Sequence, residues 1–343
     1  MTLFTKKTFK AFSSGAIAPL TMLAATVTLS GCGGSSPSPN VDRIIMFGDS
    51  LSDLGTYKNR SIAFGVPDGG KFTVNPGPLW IENVATYYGT SISANRTAGF
   101  NSPPKTEGGT GYAEGGARVA QQPGSNNTDA TAGPNSGAST LPVKDQITAH
   151  LSQKGTFTAT DLVLVWVGTN DVLRPIGIAP APPAEGLAQI QKAADDLATE
   201  VDRLKANGAT RIAVLNLDDW GKAPVTAISA AAQSYATALS QEFNQRVASN
   251  LKGKKDVVLV DIQSLFADIR ANAAKYGITH LTTPACIPRP ETTSYSALCT
   301  ANTLIAPNAN STHLYADTVH YTGGTNRIIS DYVIEKIAPA FPK

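Results

Sequence analysis

The sequence predicts a single α/β domain with a mostly parallel sheet that carries helices on both faces. Two observations lead to this fold class: short aliphatic runs without polar alternation, and amphipathic helical patterns between those runs. Parallel strands read as continuous apolar runs because helices cover both of their faces. Strands that alternate with helices along a chain build a parallel α/β sheet.

Four aliphatic runs are expected to be buried strands: residues 43–47, 161–167, 211–215 and 256–260. None of them alternates with polar side chains, as a strand with one wet face would. The sequence therefore predicts four strands of one sheet, covered on both faces by helices.

Three segments repeat apolar residues at spacings of three and four, which predicts amphipathic helices. They cover residues 187–204, residues 228–243 and a stretch from near Asn326 to Ile337. Gly208 follows the first segment and suits a helix C-terminal cap. The stretch from Thr97 to Val143 breaks this rhythm, since it is crowded with Gly, Asn, Ser, Thr and Pro. A loop of this length inside a domain is usually functional or mobile, so we expect it to shape access to a site.

The composition is that of a globular protein, with 42% hydrophobic and 16% charged residues among 343. The formal net charge is +2, but Lys6, Lys7 and Lys10 lie in a stretch that export is expected to remove. Without these three lysines, the chain has 25 basic and 26 acidic residues. A nucleic-acid partner therefore has no electrostatic support.

The N-terminus has the pattern of an export signal, in which lysines precede an apolar run over residues 16–29. The run ends in Leu29-Ser30-Gly31-Cys32, which resembles the lipobox of bacterial lipoproteins. We expect a lipoprotein-type signal peptide over residues 1–31 and a flexible Gly/Ser/Pro tether over 32–40, followed by one domain over 41–343. The alternative is an ordinary secretory signal with a chance cysteine.

A lipid anchor on Cys32 would attach the exported protein to the cell envelope. Gly33 after the cysteine favours the outer membrane, and without the anchor the protein would be periplasmic or secreted. Export also places Cys286 and Cys299 in an oxidising compartment, which favours a disulfide between them over two free thiols. Metal binding is not expected, because neither cysteine belongs to a Cys/His cluster with ligand spacing.

Four separated blocks carry side chains suited to acyl transfer. Ser50, in Gly-Asp-Ser-Leu, follows the first predicted strand, where open α/β sheets place ligands. Asp317 precedes His320 by three residues, and no other histidine has an aspartate at that spacing. A base held by an acceptor can activate a serine hydroxyl. Asn170 follows the strand that ends at Val167, and its amide could donate to an oxyanion.

The fourth block contains Gly115 and Gly116, whose backbone N–H groups could approach a ligand closely. Each block alone also has an ordinary interpretation as a turn, a bend or a surface histidine. In conjunction and in this order, the blocks resemble the GDSL/SGNH hydrolases. The likeness extends to residues 77–80 and 216–224, so it covers the chain from about Arg43 onward.

This resemblance implies a flavodoxin-like SGNH hydrolase domain that acts as a serine esterase or lipase. Ser50 would be the nucleophile, His320 the base and Asp317 its orienting partner. The oxyanion hole would consist of the Ser50 N–H, the Gly116 N–H and the Asn170 amide, with Gly115 as the alternative backbone donor. Neither a metal nor an organic cofactor is required.

The expected substrate is an ester or a lipid, and the sequence does not reveal its acyl chain length. An acyltransferase would use the same residues to pass the acyl group to an alcohol, so both activities stay open. A surface-anchored binding protein without turnover is disfavoured by the intact set of candidate catalytic residues.

Overall fold

Four short parallel strands form the central sheet of the protein. The computed structural model describes residues 40–100, 102–125, 137–290 and 292–343. The predicted signal peptide, nearly all of the tether and Cys32 therefore lie outside the described residues. The described residues form six strands: β1 (Arg43–Gly48), β2 (Arg96–Gly99), β3 (Ser102–Thr106), β4 (Asp161–Trp166), β5 (Ile212–Leu215) and β6 (Val257–Val260). The central sheet consists of β1, β4, β5 and β6, and β2 pairs separately with β3.

Helices follow most of these strands and carry the chain back across the sheet. They are α1 (Lys58–Ala63), α2 (Trp80–Tyr87), α3 (Val143–Lys154), α4 (Thr169–Leu173), α5 (Pro183–Ala206), α6 (Ala230–Leu251), α7 (Ile262–Ala271), α8 (Ala309–Thr312) and α9 (Gly323–Ile337).

The sheet order is β1–β4–β5–β6, and every pairing within it is parallel. Helices α3, α5 and α6 pack together, as do α2, α7 and α9, and the two groups cover the two faces of the sheet. Every residue of β4 is buried, and so is β1 from Ile44 onward. Both faces of these strands are thus shielded from water, which explains their unbroken aliphatic sequences. The predicted α/β class and the four predicted strands are confirmed, but β6, at the edge of the sheet, is only partly buried from Val257 to Leu259.

An irregular stretch, residues 110–114, extends the sheet beyond the free edge of β1. The Met46 N–H donates to the Thr110 carbonyl at 3.0 Å, and the Tyr112 N–H returns to the Met46 carbonyl at 2.8 Å. The Glu114 N–H then donates to the Gly48 carbonyl at 3.1 Å. Because this pairing is parallel, the end of the stretch reaches the same edge of the sheet as the end of β1.

Two helices begin at other residues than the apolar spacing predicts, because side-chain caps set their starts. The Ser229 hydroxyl accepts from the Ala232 N–H, so α6 begins at Ala230 and Ile228 lies outside it. The Thr322 hydroxyl accepts from the Thr325 N–H, and α9 begins at Gly323 rather than near Asn326. A cap satisfies N–H groups that a helix end leaves unpaired. Ile228 is consequently 72% exposed instead of buried in a helical stripe.

The stretch from 97 to 143 is more ordered at its start than its composition predicts. Strands β2 and β3 pair as an antiparallel hairpin there. At its other end, α3 begins directly at Val143. The described residues from Asn40 onward belong to one compact unit. None of the helices described in that unit is long and apolar enough to cross a membrane.

Candidate active site

Ser50 lies directly beyond the carboxyl end of β1, in a single 3₁₀ turn. Asp49 caps this turn, since its carboxylate accepts the Leu51 N–H at 3.0 Å. Burial raises the pKa of Asp49 to about 7, although this hydrogen bond and the nearby His320 oppose the rise. Gly48 is required at the strand end, because a Cβ there would lie 2.3 Å from the Trp166 carbonyl oxygen. The backbone that precedes Ser50 therefore packs directly against β4.

A buried glutamine and a buried tryptophan hold the backbone on either side of Ser50. The Gly48 N–H donates to Gln146 Oε1 at 2.9 Å, and Gln146 Nε2 donates back to the Gly48 carbonyl at 2.8 Å. Trp80 Nε1 donates to the Leu51 carbonyl at 3.1 Å. Gln146 lies among the buried residues of α3 and is not one of the site residues that the sequence motifs predict. Its contact with Gly48 joins residues 98 positions apart, so no local sequence pattern indicates it.

A short hairpin near the C-terminus presents Asp317 and His320 together. Its ends are joined by a bridge between Tyr315 and Tyr321. His320 Nδ1 lies 2.9 Å from one Asp317 carboxylate oxygen and 2.8 Å from the other. Because Nδ1 is engaged with the carboxylate, Nε2 is the ring nitrogen left for proton transfer. The Phe72 ring stacks on the imidazole at a centroid distance of 4.7 Å.

Asp317 is completely buried, yet it is held in its ionised form. Its carboxylate accepts the N–H groups of Val319 and His320 at 2.8 Å each and that of Ser296 at 3.1 Å. Burial by itself raises the pKa of Asp317, but the His320 ring and these hydrogen bonds outweigh it and lower the pKa below its ordinary value. An ionised Asp317 can orient His320 and stabilise the imidazolium form.

The geometry favours Gly116 over Gly115 as the backbone oxyanion donor. The Gly115 N–H already donates to Asp53 Oδ2 at 2.8 Å. The Gly116 N–H has no hydrogen-bond acceptor among the described residues, and Gly116 lines the same cavity as Ser50. Gly116 also has a φ of 85°, which a residue with a Cβ rarely adopts.

Asn170 lies at the carboxyl end of β4, and its side-chain amide is held at both ends. Asn170 Nδ2 donates to the Ala117 carbonyl at 2.9 Å, and Asn170 Oδ1 accepts from the Ser125 hydroxyl at 2.6 Å. A primary amide has two N–H groups. One N–H of Asn170 is therefore left for a ligand, beside the Gly116 N–H.

Asp171 joins the Asn170 block to the glycine block. Its carboxylate accepts Arg118 Nε at 3.0 Å and the Val119 N–H at 3.1 Å. Burial raises the pKa of Asp171, and Arg118 opposes the rise. This buried pair fixes the distance between the two chain segments that carry the candidate oxyanion donors.

One cavity of about 440 Å³ brings the candidate residues together: Ser50, Gly116, Asn170 and His320 all line it, and Asp317 lies behind His320. Pockets for small ligands span roughly 300–1,000 Å³. Among the residues described around this cavity, none carries a carboxylate, ammonium or guanidinium group. Its apolar wall is formed by Phe72, Leu173, Ile176, Val225, Ile228 and Val319. Within the described residues, no His, Cys, Asp and Glu side chains are grouped to hold a metal.

The segment between Cys286 and Cys299 forms another wall of this cavity. The two cysteines are joined by a disulfide with their Cα atoms 5.9 Å apart. Thr293 and Ser294 of the enclosed segment line the cavity, and Ser296 donates its N–H to Asp317. The disulfide therefore holds the stretch of chain that supports the Asp–His pair.

Replacing both Cys286 and Cys299 with serine is expected to lower the unfolding free energy by about 2–4 kcal/mol, as for closed loops of similar length. Activity should fall as well, because the released segment supports Asp317. Urea unfolding and ester hydrolysis of the double variant, beside the wild type with and without reductant, measure both effects. A variant as stable as the oxidised wild type would contradict the structural role of the disulfide.

If Asn170 is an oxyanion donor, replacing it with alanine is expected to lower kcat by about 10²–10³-fold with little change in KM. Asn244→Ala provides a control, because Asn244 is a buried asparagine that pairs with the Leu217 backbone instead. The control should lose stability but keep its kcat. Equal effects of both variants on kcat would show that Asn170 acts only through the fold.

Three comparisons relate this chain to known proteins. The family model GDSL-like Lipase/Acylhydrolase matches residues 44–333. A phosphatidylcholine-sterol acyltransferase from Aeromonas hydrophila is 28% identical over 251 residues, which are 70% of this chain and 64% of that protein. The chain thus spans less than two thirds of the length of this curated relative.

Two solved structures are similar to the chain at 12% identity. A lipase/acylhydrolase from Enterococcus faecalis matches 88% of this chain and 98% of its own, with a TM-score of 0.38. A mutant of an acetyl-xylooligosaccharide esterase from Geobacillus matches 88% and 96%, with a TM-score of 0.40.

Proposed function

Because the chain belongs to the GDSL-like lipase/acylhydrolase family, we propose that it is a serine esterase or lipase that hydrolyses carboxylic esters through an acyl-enzyme on Ser50. One observation carries this proposal: Ser50, His320, Gly116 and Asn170 line a single cavity although they come from distant parts of the chain. A hydroxyl, an oriented imidazole and N–H donors in one pocket are the parts that acyl transfer needs.

The first half of the reaction forms the acyl-enzyme. His320 Nε2 takes the Ser50 hydroxyl proton while Oγ bonds to the ester carbonyl carbon. The carbonyl oxygen becomes an oxyanion, and the N–H groups of Ser50, Gly116 and Asn170 stabilise it. The bond from carbon to the alcohol oxygen then breaks, and the leaving alcohol takes its proton from His320.

The second half returns the free enzyme by the same route. His320 takes a proton from water as the water oxygen attacks the acyl carbonyl. A second oxyanion forms, and the same N–H donors stabilise it. When it collapses, the bond from the acyl carbon to Ser50 Oγ breaks, and Oγ regains its proton from His320. The carboxylic acid leaves, so a metal or organic cofactor has no step to perform.

Hydrolysis of p-nitrophenyl esters from acetate to decanoate, combined with labelling by a fluorophosphonate, tests the proposed activity. The uncharged, largely apolar cavity wall supports aliphatic acyl chains longer than acetate, which would bury apolar surface there. The expected result is release of p-nitrophenol and a mass shift of the peptide that contains Ser50. Labelling of another residue, or no hydrolysis at any chain length, would overturn the proposal.

Transfer of the acyl group to an alcohol is the second candidate activity. It is favoured by the curated relative, which is named for acyl transfer from phosphatidylcholine to a sterol. The same residues would act, with the acceptor hydroxyl in place of water. Incubation of a phosphatidylcholine with and without a sterol, followed by product analysis, separates the two: a sterol ester indicates transfer, and fatty acid alone indicates hydrolysis.

We also propose that the protein is an exported lipoprotein of the cell envelope, anchored through Cys32 to the outer membrane where one exists. The lipobox-like Leu29-Ser30-Gly31-Cys32 after an apolar run supports this proposal. Expression of the full chain with Cys32→Ser should move the protein from the membrane fraction to the soluble exported fraction. A variant that stays with membranes would overturn the lipid anchor.

A further inference from the structure

Both candidate oxyanion donors outside Ser50 belong to amides whose oxygen atom accepts a hydroxyl. The Gly116 N–H shares its peptide group with the Gly115 carbonyl, which accepts the Tyr57 hydroxyl at 2.8 Å. The free N–H of Asn170 shares its amide with Oδ1, which accepts the Ser125 hydroxyl at 2.6 Å. The same arrangement thus occurs at two unrelated positions of the chain.

Tyr57 determines the direction of the Gly116 N–H through the planar peptide group. In a trans peptide the C=O and N–H point in opposite directions. When the Tyr57 hydroxyl holds the Gly115 carbonyl on one side, the Gly116 N–H must point to the other side, toward the cavity that Gly116 lines. The Tyr57 oxygen accepts the Thr140 N–H at 3.1 Å, which fixes the hydroxyl as the donor to Gly115.

The surroundings of Tyr57 keep its hydroxyl group protonated, so that it can donate a hydrogen bond. Its ring is buried and packs edge-on against Phe72 and Phe100. Burial, together with the nearby carboxylates of Glu114 and Asp53, raises the pKa of Tyr57 well above its ordinary value. The phenol therefore stays protonated at neutral pH.

Ser125 has the equivalent relation to Asn170. An asparagine amide can rotate so that its oxygen and nitrogen exchange places, and a donor to Oδ1 selects one orientation. The Ser125 hydroxyl on Oδ1 and the Ala117 carbonyl on Nδ2 select one orientation of the Asn170 amide, which lines the cavity. Ser125 also donates its backbone N–H to the Gly116 carbonyl at 2.9 Å, so it contacts both donor segments.

We propose that Tyr57 and Ser125 are positioning residues, whose hydroxyl groups orient the oxyanion donors Gly116 and Asn170 and polarise their N–H bonds. A hydrogen bond accepted at an amide oxygen strengthens the hydrogen bond that the N–H of the same amide donates. The inference rests on the proposed function, since it assigns the two residues to the oxyanion hole of that reaction.

Tyr57→Phe tests the proposed role of Tyr57, because it removes the hydroxyl and keeps the packed ring. We expect kcat for p-nitrophenyl butyrate to fall about tenfold with KM nearly unchanged, which is less than the loss of a whole donor. The inhibition constant of 1-butaneboronic acid, whose tetrahedral serine adduct places an oxygen in the oxyanion hole, should rise by a similar factor.

Tyr88→Phe is the matched control for this variant. Tyr88 is also buried and also donates its hydroxyl to a backbone carbonyl, but that carbonyl belongs to Phe341, which does not line the cavity. Both variants should lose stability, and only Tyr57→Phe should lose kcat and affinity for the boronic acid. If the two variants agree in both readouts to within about twofold, the role of Tyr57 is overturned.

Ser125→Ala tests the proposed role of Ser125, and Ser125→Thr is the conservative substitution to compare with it. Ser125 is only half-buried, so neither substitution threatens the fold. The alanine variant should lose kcat and boronic acid affinity about tenfold, and the threonine variant should recover both because it retains a hydroxyl. Equal kcat values for the wild type and the alanine variant would overturn the role of Ser125. An inactive wild type, or activity that survives in Ser50→Ala, would instead overturn the proposed function.

Discussion

Replacement of Ser50 with alanine should lower kcat for p-nitrophenyl esters by about 10⁶-fold, as removal of a nucleophile does in a serine hydrolase with an intact oxyanion hole. Other cavity hydroxyls, such as those of Thr226 and Ser294, cannot substitute for it. Only Ser50 lies at the carboxyl end of β1, where its own N–H and that of Gly116 face the same space. The remaining rate should reflect substrate binding and the oxyanion donors alone.

Ser330→Ala is a suitable control for this variant. The Ser330 hydroxyl is also buried, but it donates to the Arg327 carbonyl within α9 and does not line the cavity. Steady-state kinetics and a fluorophosphonate labelling assay should show full activity and full labelling for the control. Labelling that persists in Ser50→Ala would assign the nucleophile to another residue.

Asp317→Asn should lower kcat by about 10⁴-fold, because an uncharged amide cannot hold His320 in the required tautomer or stabilise its protonated form. The carboxylate accepts hydrogen bonds only, from the backbone of Val319, His320 and Ser296 as well as from the imidazole. Whichever way the asparagine amide is turned, its NH₂ group meets a donor. A loss of about 1–3 kcal/mol in unfolding free energy should accompany the loss of activity.

The pH dependence of stability gives a second measurement on this variant. Since folding lowers the pKa of Asp317, its ionised form stabilises the protein above the unfolded-state pKa of about 3.9. This stabilisation is lost as the pH falls through the folded-state pKa, so the wild type and Asp317→Asn should converge in stability in acid. Asp261→Asn is the control, because Asp261 also has a lowered pKa but caps α7, away from the cavity. It should change acid stability and leave kcat intact; a loss of kcat in this control would refute the assignment.

The candidate site was predictable where its chemistry follows a strand end. Ser50 and Asn170 come directly after β1 and β4, and parallel strands bring their carboxyl ends to one edge of the sheet. The Asp317 and His320 pair was recognisable from its local spacing. These features depend on sequence separations of a few residues, which a single sequence displays.

The supporting contacts were not predictable, because they join segments that are far apart in the chain. Gln146 binds Gly48 across 98 residues, and Tyr57 binds Gly115 across 58. Buried polar side chains of this kind carry no periodic signal of their own. Ile228 was misassigned to a helical stripe for a related reason: its spacing fits α6, but the Ser229 cap starts the helix after it and leaves Ile228 in the cavity wall.

Because residues 110–114 pair with β1, an insertion has different consequences before this stretch and within it. An insertion within β3, whose residues are largely exposed, can bulge out of the β2–β3 hairpin and leave the downstream backbone in place. One extra residue between Thr110 and Gly116 would displace that glycine by about 3.3 Å, the rise of one strand residue. Homologues that retain turnover should therefore vary in length within the exposed part of the β2–β3 hairpin and keep a constant length from Thr110 to Gly116.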